Sequence, residues 1–345
     1  MEDINNKKWH LRFFLTPKCN FACIYCNPNK LRECKKELST EKAISILQSA
    51  YIAGIRKVHW TGGEPTTRLD LIKLMKKAKE IGFTEQIITT NGWNLYKILD
   101  EAIEAGLTRV NISLDTLNKE RFEKLTNMKC FSEVVKSIEE ASKKVPGYVK
   151  INIVAMQDTL DEISNFIEFA KKLNNHKLVL KLICFNPNNP AQLNKEGKEI
   201  YKDNNVSSNE LYEKLEEIDD IESLENIEFG DNPNCEYYRL IKSNVIVGII
   251  AEPSWNYRCG GSDCRKLRIT PFGEVANCIQ DKLTYIGDMN VKERAEFFKE
   301  KMRQKEADDF SGKFRIHYRP QLGEMRFGKI AEPKKLEEFE MVTKI

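Results

Sequence analysis

The stretch Leu11-Arg12-Phe13-Phe14-Leu15-Thr16-Pro17-Lys18-Cys19-Asn20-Phe21-Ala22-Cys23-Ile24-Tyr25-Cys26 joins a short apolar run to a loop carrying three cysteines. The run Leu11–Leu15 reads as a β-strand. The cysteines are spaced C-x3-C-x2-C. Three thiolates so close together can hold three corners of an iron–sulfur cube and leave the fourth iron open. Such clusters ordinarily take four protein ligands, so the missing fourth points to an iron that binds a small molecule. A zinc site is the alternative. It would ask for a fourth Cys or His at short spacing, and Cys34 and His10 both lie too far along the chain.

Outward from this loop the pattern repeats. Val58–Thr61, Gln86–Thr89, Arg109–Leu114, Val149–Ala155 and Leu178–Ile183 read as further strands. They are apolar and often β-branched, as expected of strands covered on both faces. Ser39–Ala53, Asp70–Ile81, Leu95–Ala105, Phe131–Lys144 and Thr159–Leu173 read as the helices between them, with Ser39 or Thr40 as the cap of the first. Six strands alternating with helices mean parallel βα units, closed into a full or partial barrel or laid out as a doubly wound sheet. Residues 186–209 are polar and rich in Asn and Pro, and read as a loop. Leu211–Ile221 reads as a helix. From Val245 to Met289 the composition changes to short β-like runs (Val245–Ala251, Leu267–Thr270, Val275–Ile279), a Pro-Phe-Gly turn and three more cysteines. Lys292–Lys305 reads as a charged helix before a Lys/Glu-rich end. The expected division is 1–235, 236–290 and 291–345.

The bulk properties narrow the function. A net charge of +3 spread among interleaved acids and bases gives no footprint for nucleic acid. No run of about 18 apolar residues is present to span a membrane. The N-terminus is acidic and polar and lacks the apolar core of a signal peptide, which suggests a cytoplasmic protein. In that setting ten cysteines favour metal or redox chemistry over disulfides. Cys34, Cys130, Cys184 and Cys235 do not cluster and read as ordinary thiols.

Polar motifs fall at the ends of successive strands, where a parallel barrel presents its active site. Trp60-Thr61-Gly62-Gly63-Glu64-Pro65 follows the second strand; the glycines allow close approach of a ligand, and Glu64 supplies a carboxylate for an ammonium group. Thr89-Thr90-Asn91-Gly92 ends the third strand, and Asn111-Ile112-Ser113-Leu114-Asp115 the fourth. A second triad, Cys259, Cys264 and Cys278, is again one short of a zinc ribbon, with Cys235 the only nearby candidate for a fourth ligand. It fits an auxiliary iron–sulfur cluster with an open iron. Lys266 and Arg268 follow Cys264 and suit an anionic substrate.

With these residues in place, the cysteine spacing and Gly-Gly-Glu-Pro resemble the radical S-adenosylmethionine (SAM) enzymes. There SAM chelates the open iron and an electron cleaves it to a 5′-deoxyadenosyl radical. From about Leu11 to Cys278 the chain resembles one family, the GTP 3′,8-cyclase (MoaA) of molybdenum-cofactor biosynthesis. The most specific likenesses are Arg12 ahead of Pro17-Lys18-Cys19, Arg109-Val110-Asn111-Ile112-Ser113-Leu114-Asp115, Lys150 and the run Cys264-Arg265-Lys266-Leu267-Arg268.

The resemblance implies a partial (β/α)6 barrel with a small C-terminal auxiliary-cluster domain, two [4Fe–4S] clusters and SAM. It assigns Cys19, Cys23 and Cys26 to the SAM cluster and Cys259, Cys264 and Cys278 to the auxiliary one. Tyr25, Gly62, Gly63, Glu64, Asn91, Ser113 and Asn186 would lie around SAM. Arg12, His59, Thr89, Lys150, Lys181, Lys266 and Arg268 would contact the substrate, with Lys150 and Arg268 closest to catalysis. The expected substrate is GTP and the reductant a flavodoxin or ferredoxin. The chain departs from the family where His59, Lys181 and Lys266 replace arginines and Asn186 a methionine. The first auxiliary spacing is x4 rather than x2, and the chain ends Met341-Val342-Thr343-Lys344-Ile345 rather than Gly-Gly. Arg-to-Lys or Arg-to-His changes lose the bidentate fork for phosphate. A different nucleotide, a small metabolite or a precursor peptide is the alternative substrate. A non-catalytic electron carrier or sensor is the alternative from another class, and it would have no use for Gly-Gly-Glu-Pro or the Ser113 strand end.

Overall fold

The computed structural model describes residues 9–26, 36–184, 204–224, 235–251, 265–276, 283–310, 317–318 and 325–326. Cys259, Cys264, Cys278 and Asn186 lie outside the described residues. Six strands alternate with helices: β1 (His10–Phe14), α1 (Thr40–Ile52), β2 (Lys57–Thr61), α2 (Leu71–Ile81), β3 (Glu85–Thr90), α3 (Leu95–Glu104), β4 (Leu107–Ser113), α4 (Lys119–Thr126), α5 (Phe131–Lys144), β5 (Val149–Ala155), α6 (Gln157–Leu173) and β6 (Leu178–Cys184). Each of these strands pairs in parallel with the next. The order runs from β1 to β6 without reversal. A doubly wound sheet reverses at a switch point, so that alternative is excluded. Right-handed crossovers in one direction place all the helices on one face.

Local signals start and stop the helices. The Ser39 hydroxyl accepts from the Lys42 N–H at 3.3 Å and caps α1. Gly82 ends α2 at φ 114°, a left-handed position that favours glycine. Asn118 caps α4, accepting from the Arg121 N–H at 2.9 Å.

The helix-facing side of the sheet carries Leu11, Phe13, Val58, Trp60, Ile88, Val110, Ile112, Ile151, Ile153, Leu180 and Leu182, all in one buried core with the helices. Burying each such side chain contributes about 1.5–3 kcal/mol. Gln86 is a polar exception deep in this face. It accepts from the Trp60 indole at 2.9 Å and donates to the Met75 and Ala105 carbonyls, so its burial leaves nothing unpaired.

The opposite face differs from the expectation of strands apolar on both sides. Strand register lines up His10, Arg12, Lys57, His59, Thr89, Asn111, Lys150, Asn152 and Lys181 along it. This face thus mixes polar and charged residues with apolar ones such as Ile87 and Val179, and its polar groups can serve a charged ligand.

The sheet extends past both ends of this core. Helix α7 (Ser208–Ile218) leads into β7 (Ile221–Leu224), β8 (Cys235–Leu240) and β9 (Val245–Ile250). Of these, β9 joins β6 in parallel, and β8 and β7 follow antiparallel. On the other side β10 (Lys266–Ile269) pairs in parallel with β1, followed by β11 (Glu274–Ala276) and β12 (Thr284–Tyr285). The described part of 236–290 therefore contributes to both edges of a single 12-stranded sheet. Helix α7 starts at Ser208, earlier than the expected Leu211. Its capping box joins Ser207 and Glu210.

Helix α8 (Val291–Phe310) packs on α1 through Arg294. The Arg294 guanidinium is 1% exposed. It donates to the Ile286 and Met289 carbonyls and to the Ser45 and Ser49 hydroxyls. Replacing it by methionine keeps the stem but strips four acceptors of their donor. Arg294→Met is expected to cost about 2–4 kcal/mol, read as a lower denaturant midpoint. A small ribbon pairs β13 (His317–Tyr318) with β14 (Met325–Arg326).

Candidate active site at the strand ends

The cysteine loop leaves β1 and is clamped from two sides. On one side the Gly63 N–H donates to the Thr16 carbonyl at 2.7 Å and the Glu64 N–H to the Lys18 carbonyl at 2.7 Å. A Cβ at Gly63 would meet the Lys18 carbonyl oxygen at 2.3 Å, and one at Gly62 the Thr16 carbonyl oxygen at 2.8 Å. Both glycines are required by this backbone-to-backbone approach. On the other side α4 grips the loop. The Ala22 and Ile24 N–H groups donate to the Thr126 and Leu125 carbonyls at 3.1 and 2.9 Å. Asn127, at φ 55°, donates its side-chain amide to the Ala22 carbonyl.

Within the loop Cys19 and Cys23 are half-buried and Cys26 is exposed. Desolvation of the sulfur atoms pushes the Cys23 and Cys26 thiols up, and the neighbouring Asp115 and thiols push Cys23 further. Such thiols stay protonated until a cation arrives to stabilise thiolates. Among the described residues no three His, Cys, Asp or Glu side chains converge on a single ion. The loop fits an iron–sulfur group through its donor chemistry, its strand-end position and its double clamp.

Tyr25 turns its hydroxyl onto Asp115, whose other oxygen accepts from the Val154 N–H at 2.8 Å. The loop is thereby tied to the ends of β4 and β5. Burial drives the Asp115 carboxyl and the Tyr25 phenol up.

Glu64, the carboxylate expected to face an ammonium group, also bonds within the fold. It is 1% exposed. One carboxylate oxygen accepts from the Thr66 N–H, the Thr66 hydroxyl and the Thr90 hydroxyl at 3.0, 2.7 and 2.7 Å. The other accepts from the Asn91 N–H at 2.7 Å. The side chain staples the ends of β2 and β3 together. Its burial pushes the carboxyl up while these four donors oppose the rise. Glu64→Gln brings an amide N–H against donors. The expected result is a stability loss of about 1–3 kcal/mol accompanied by loosened iron. Thermal melts and iron content measure both, and unchanged values for each would contradict the stapling role.

Asn91 donates its side-chain amide to Asn20 of the cysteine loop at 2.9 Å, and its oxygen accepts from the Trp93 N–H. The Asn20 amide nitrogen is left buried without a partner, a donor available where a cofactor would lie. Ser113 ends β4 beside its register partner Asn152, whose side-chain oxygen is also buried and unpartnered.

Below this rim the polar face is strongly cationic. Arg12 lies between its register partners Arg268 and His59. His59 Nε2 sits 2.7 Å from the Thr89 hydroxyl, which accepts from the Asn111 amide at 3.1 Å. Lys150 is register partner to Asn111 and donates to the Tyr237 hydroxyl at 3.1 Å. Lys181 is register partner to Asn152. Lys266 lies one alternation farther from the rim, beside His10 and Lys57. On this face of the six core strands and β10, Arg12, Lys57, Arg109, Lys150, Lys181, Lys266 and Arg268 accompany a single carboxylate, Glu85. Glu85 is itself paired with Lys57 and Arg109 at 3.1 and 3.0 Å. Such a surface suits a polyanion.

The structure brings together the first cysteine triad, Gly62, Gly63 and Asn91 at the rim, and Arg12, His59, Thr89, Lys150, Lys181 and Arg268 on one face. Sequence reasoning missed Asn20, Asn127, Asn152 and Tyr237. Asn127 had a readable signal, an Asn directly after a short amphipathic run. Tyr237 had none, because its role depends on strand order.

A family model described as "Radical SAM superfamily" matches residues 13–170. The probable GTP 3′,8-cyclase of Sulfurisphaera tokodaii is 31% identical over 299 residues, covering 84% of this chain and 89% of that protein. The probable GTP 3′,8-cyclase of Pyrococcus abyssi is 32% identical over 272 residues, covering 78% and 84%. Among solved structures, Streptococcus suis SuiB bound to S-adenosylmethionine aligns with a TM-score of 0.58 at 17% identity, covering 82% of this chain and 64% of that one. The last is a likeness of fold. The match to the cyclases extends over nearly their whole length, and the superfamily implies SAM and at least one iron–sulfur cluster. The chain therefore belongs to the radical SAM superfamily of enzymes and, within it, is a homologue of the GTP 3′,8-cyclase (MoaA) family.

Proposed function

We propose that the protein is a MoaA-like radical SAM cyclase. Its core would be a partial (β/α)6 barrel whose interior accepts a nucleoside triphosphate, GTP first. Cys19, Cys23 and Cys26 would hold a [4Fe–4S] cluster, and Tyr25, Gly63, Asn91 and Ser113 would border SAM. With a reductant such as flavodoxin or ferredoxin, the bound cluster and SAM would supply a carbon radical for hydrogen abstraction. The chain's own residues do the rest. Arg12, Lys150 and Arg268 hold and orient the polyanion, Thr89 and Lys181 add contacts, and the clamped loop keeps water from the rim. Cys259, Cys264 and Cys278 would carry an auxiliary [4Fe–4S] cluster at which the base is held.

The observation that carries this reading is the cationic face directly beneath the cysteine loop. Its test is anaerobic incubation with GTP, SAM and reductant. Consumption of GTP and a cyclised nucleotide found by mass support it; a nucleotide recovered intact contradicts it.

One observation favours a second reading, the same chemistry on another anionic substrate. Around His59 the wall is a hydrogen-bonded trio with Thr89 and Asn111, and the Asn111 side-chain oxygen is buried and unpartnered. That corner asks for a hydrogen-bond donor on the ligand rather than for phosphate.

A further inference from the structure

Tyr237 belongs to β8, and two strands, β9 and β6, separate it from β5. Its hydroxyl nevertheless reaches the Lys150 ammonium at 3.1 Å, with that ammonium 5.2 Å from the ring centroid. Neighbouring strands lie about 4.8 Å apart, so the two side chains must lie along the sheet, pointing at each other. Gly248 makes this possible. It is the register partner of Tyr237. A Cβ there would stand 2.8 Å from the Tyr237 ring and 2.9 Å from the Cys235 sulfur. Val179, Ile246 and Cys235 form a small apolar cluster with the ring, separate from the main core. Tyr237 and Lys150 are each 1% exposed.

A lysine ammonium is long, flexible and costly to bury. An ammonium only donates, so the phenol oxygen accepts and fixes one of its three hydrogens. We propose that Tyr237 is a positioning residue for substrate: laid across Gly248, it holds the Lys150 ammonium on the polar face, where it faces an anionic group of the ligand. This rests on the reading of Lys150 as a substrate contact. It adds a specificity element from β8, outside the six core strands.

The test is a double-mutant cycle on polyanion binding to the iron-loaded enzyme. The probes are GTP, ATP and tripolyphosphate, and the cycle is run on whichever binds wild type. Tyr237→Phe keeps the ring and its apolar contacts and removes only the hydroxyl. It is expected to weaken binding about tenfold, the scale of one hydrogen bond to a charged group. In a Lys150→Ala background the same change is expected to have no further effect. Gly248→Ala, which drives the ring off its seat, is expected to match Tyr237→Phe. A Tyr237→Phe that binds as wild type, or whose effect persists undiminished beside Lys150→Ala, overturns the proposal. Failure of GTP with retention of another polyanion counts against the GTP reading alone. Failure of all three probes removes both.

Discussion

Gly63→Ala is expected to strip iron from the first cysteine triad and abolish SAM cleavage while leaving most of the fold intact. The added methyl would lie 2.3 Å from the Lys18 carbonyl oxygen, 2.7 Å from its carbon and 2.8 Å from the Pro17 carbonyl oxygen. These are backbone atoms, with no flexible side chain to give way. The clash falls on the two hydrogen bonds that fix residues 16–18, immediately before Cys19. The helices and the main core lie on the other face of the sheet, so circular dichroism should change little. Full reconstitution should give about eight irons per chain if both triads carry [4Fe–4S] clusters. Gly63→Ala should then retain about half, as should Cys19→Ala combined with Cys23→Ala. A Gly63→Ala enzyme with full iron and undiminished 5′-deoxyadenosine would show that the close approach is dispensable.

The second large effect concerns the cationic face. Arg12 is flanked across the sheet by Arg268 and His59. Like charges directly opposite each other across a sheet are by themselves destabilising. An anionic ligand reverses that balance. Arg12→Met is expected to reduce GTP affinity about tenfold to a hundredfold, since charge-assisted contacts are worth roughly 1.5–3 kcal/mol each. The wild-type affinity should also fall as salt rises. Equilibrium binding at two salt concentrations checks both. Affinity unchanged by Arg12→Met would remove Arg12 from the ligand's surroundings.

The sequence shows the six core strands and their helices because their periodicity is strong and each element is long. Phe131–Lys144 and Val149–Ala155 have the very bounds the pattern suggests. Helix α4 is absent from that reading: in eight residues only Phe122, Leu125 and Thr126 are buried, too few for a helical period to stand out. The polar face was obscured for a related reason. Strands read from Leu11 and Val58 omit His10 and Lys57, and then Arg12 and His59 look like isolated exceptions rather than every second residue. The rim motifs were legible because Gly-Gly and cysteine spacing are local. The Glu64 staple, the α4 clamp and the Lys150–Tyr237 contact join residues 26, 105 and 87 positions apart, and only the folded sheet brings them together.

In the proposed function, radical chemistry at the cysteine loop is directed at a nucleotide held on the cationic face. GTP deuterated on its ribose, incubated anaerobically with enzyme, SAM and reductant, tests it most directly. Deuterium is expected in 5′-deoxyadenosine, formed at a rate that depends on GTP, and Cys23→Ala is expected to abolish both. 5′-Deoxyadenosine formed slowly, without deuterium and at a rate indifferent to GTP, would contradict it.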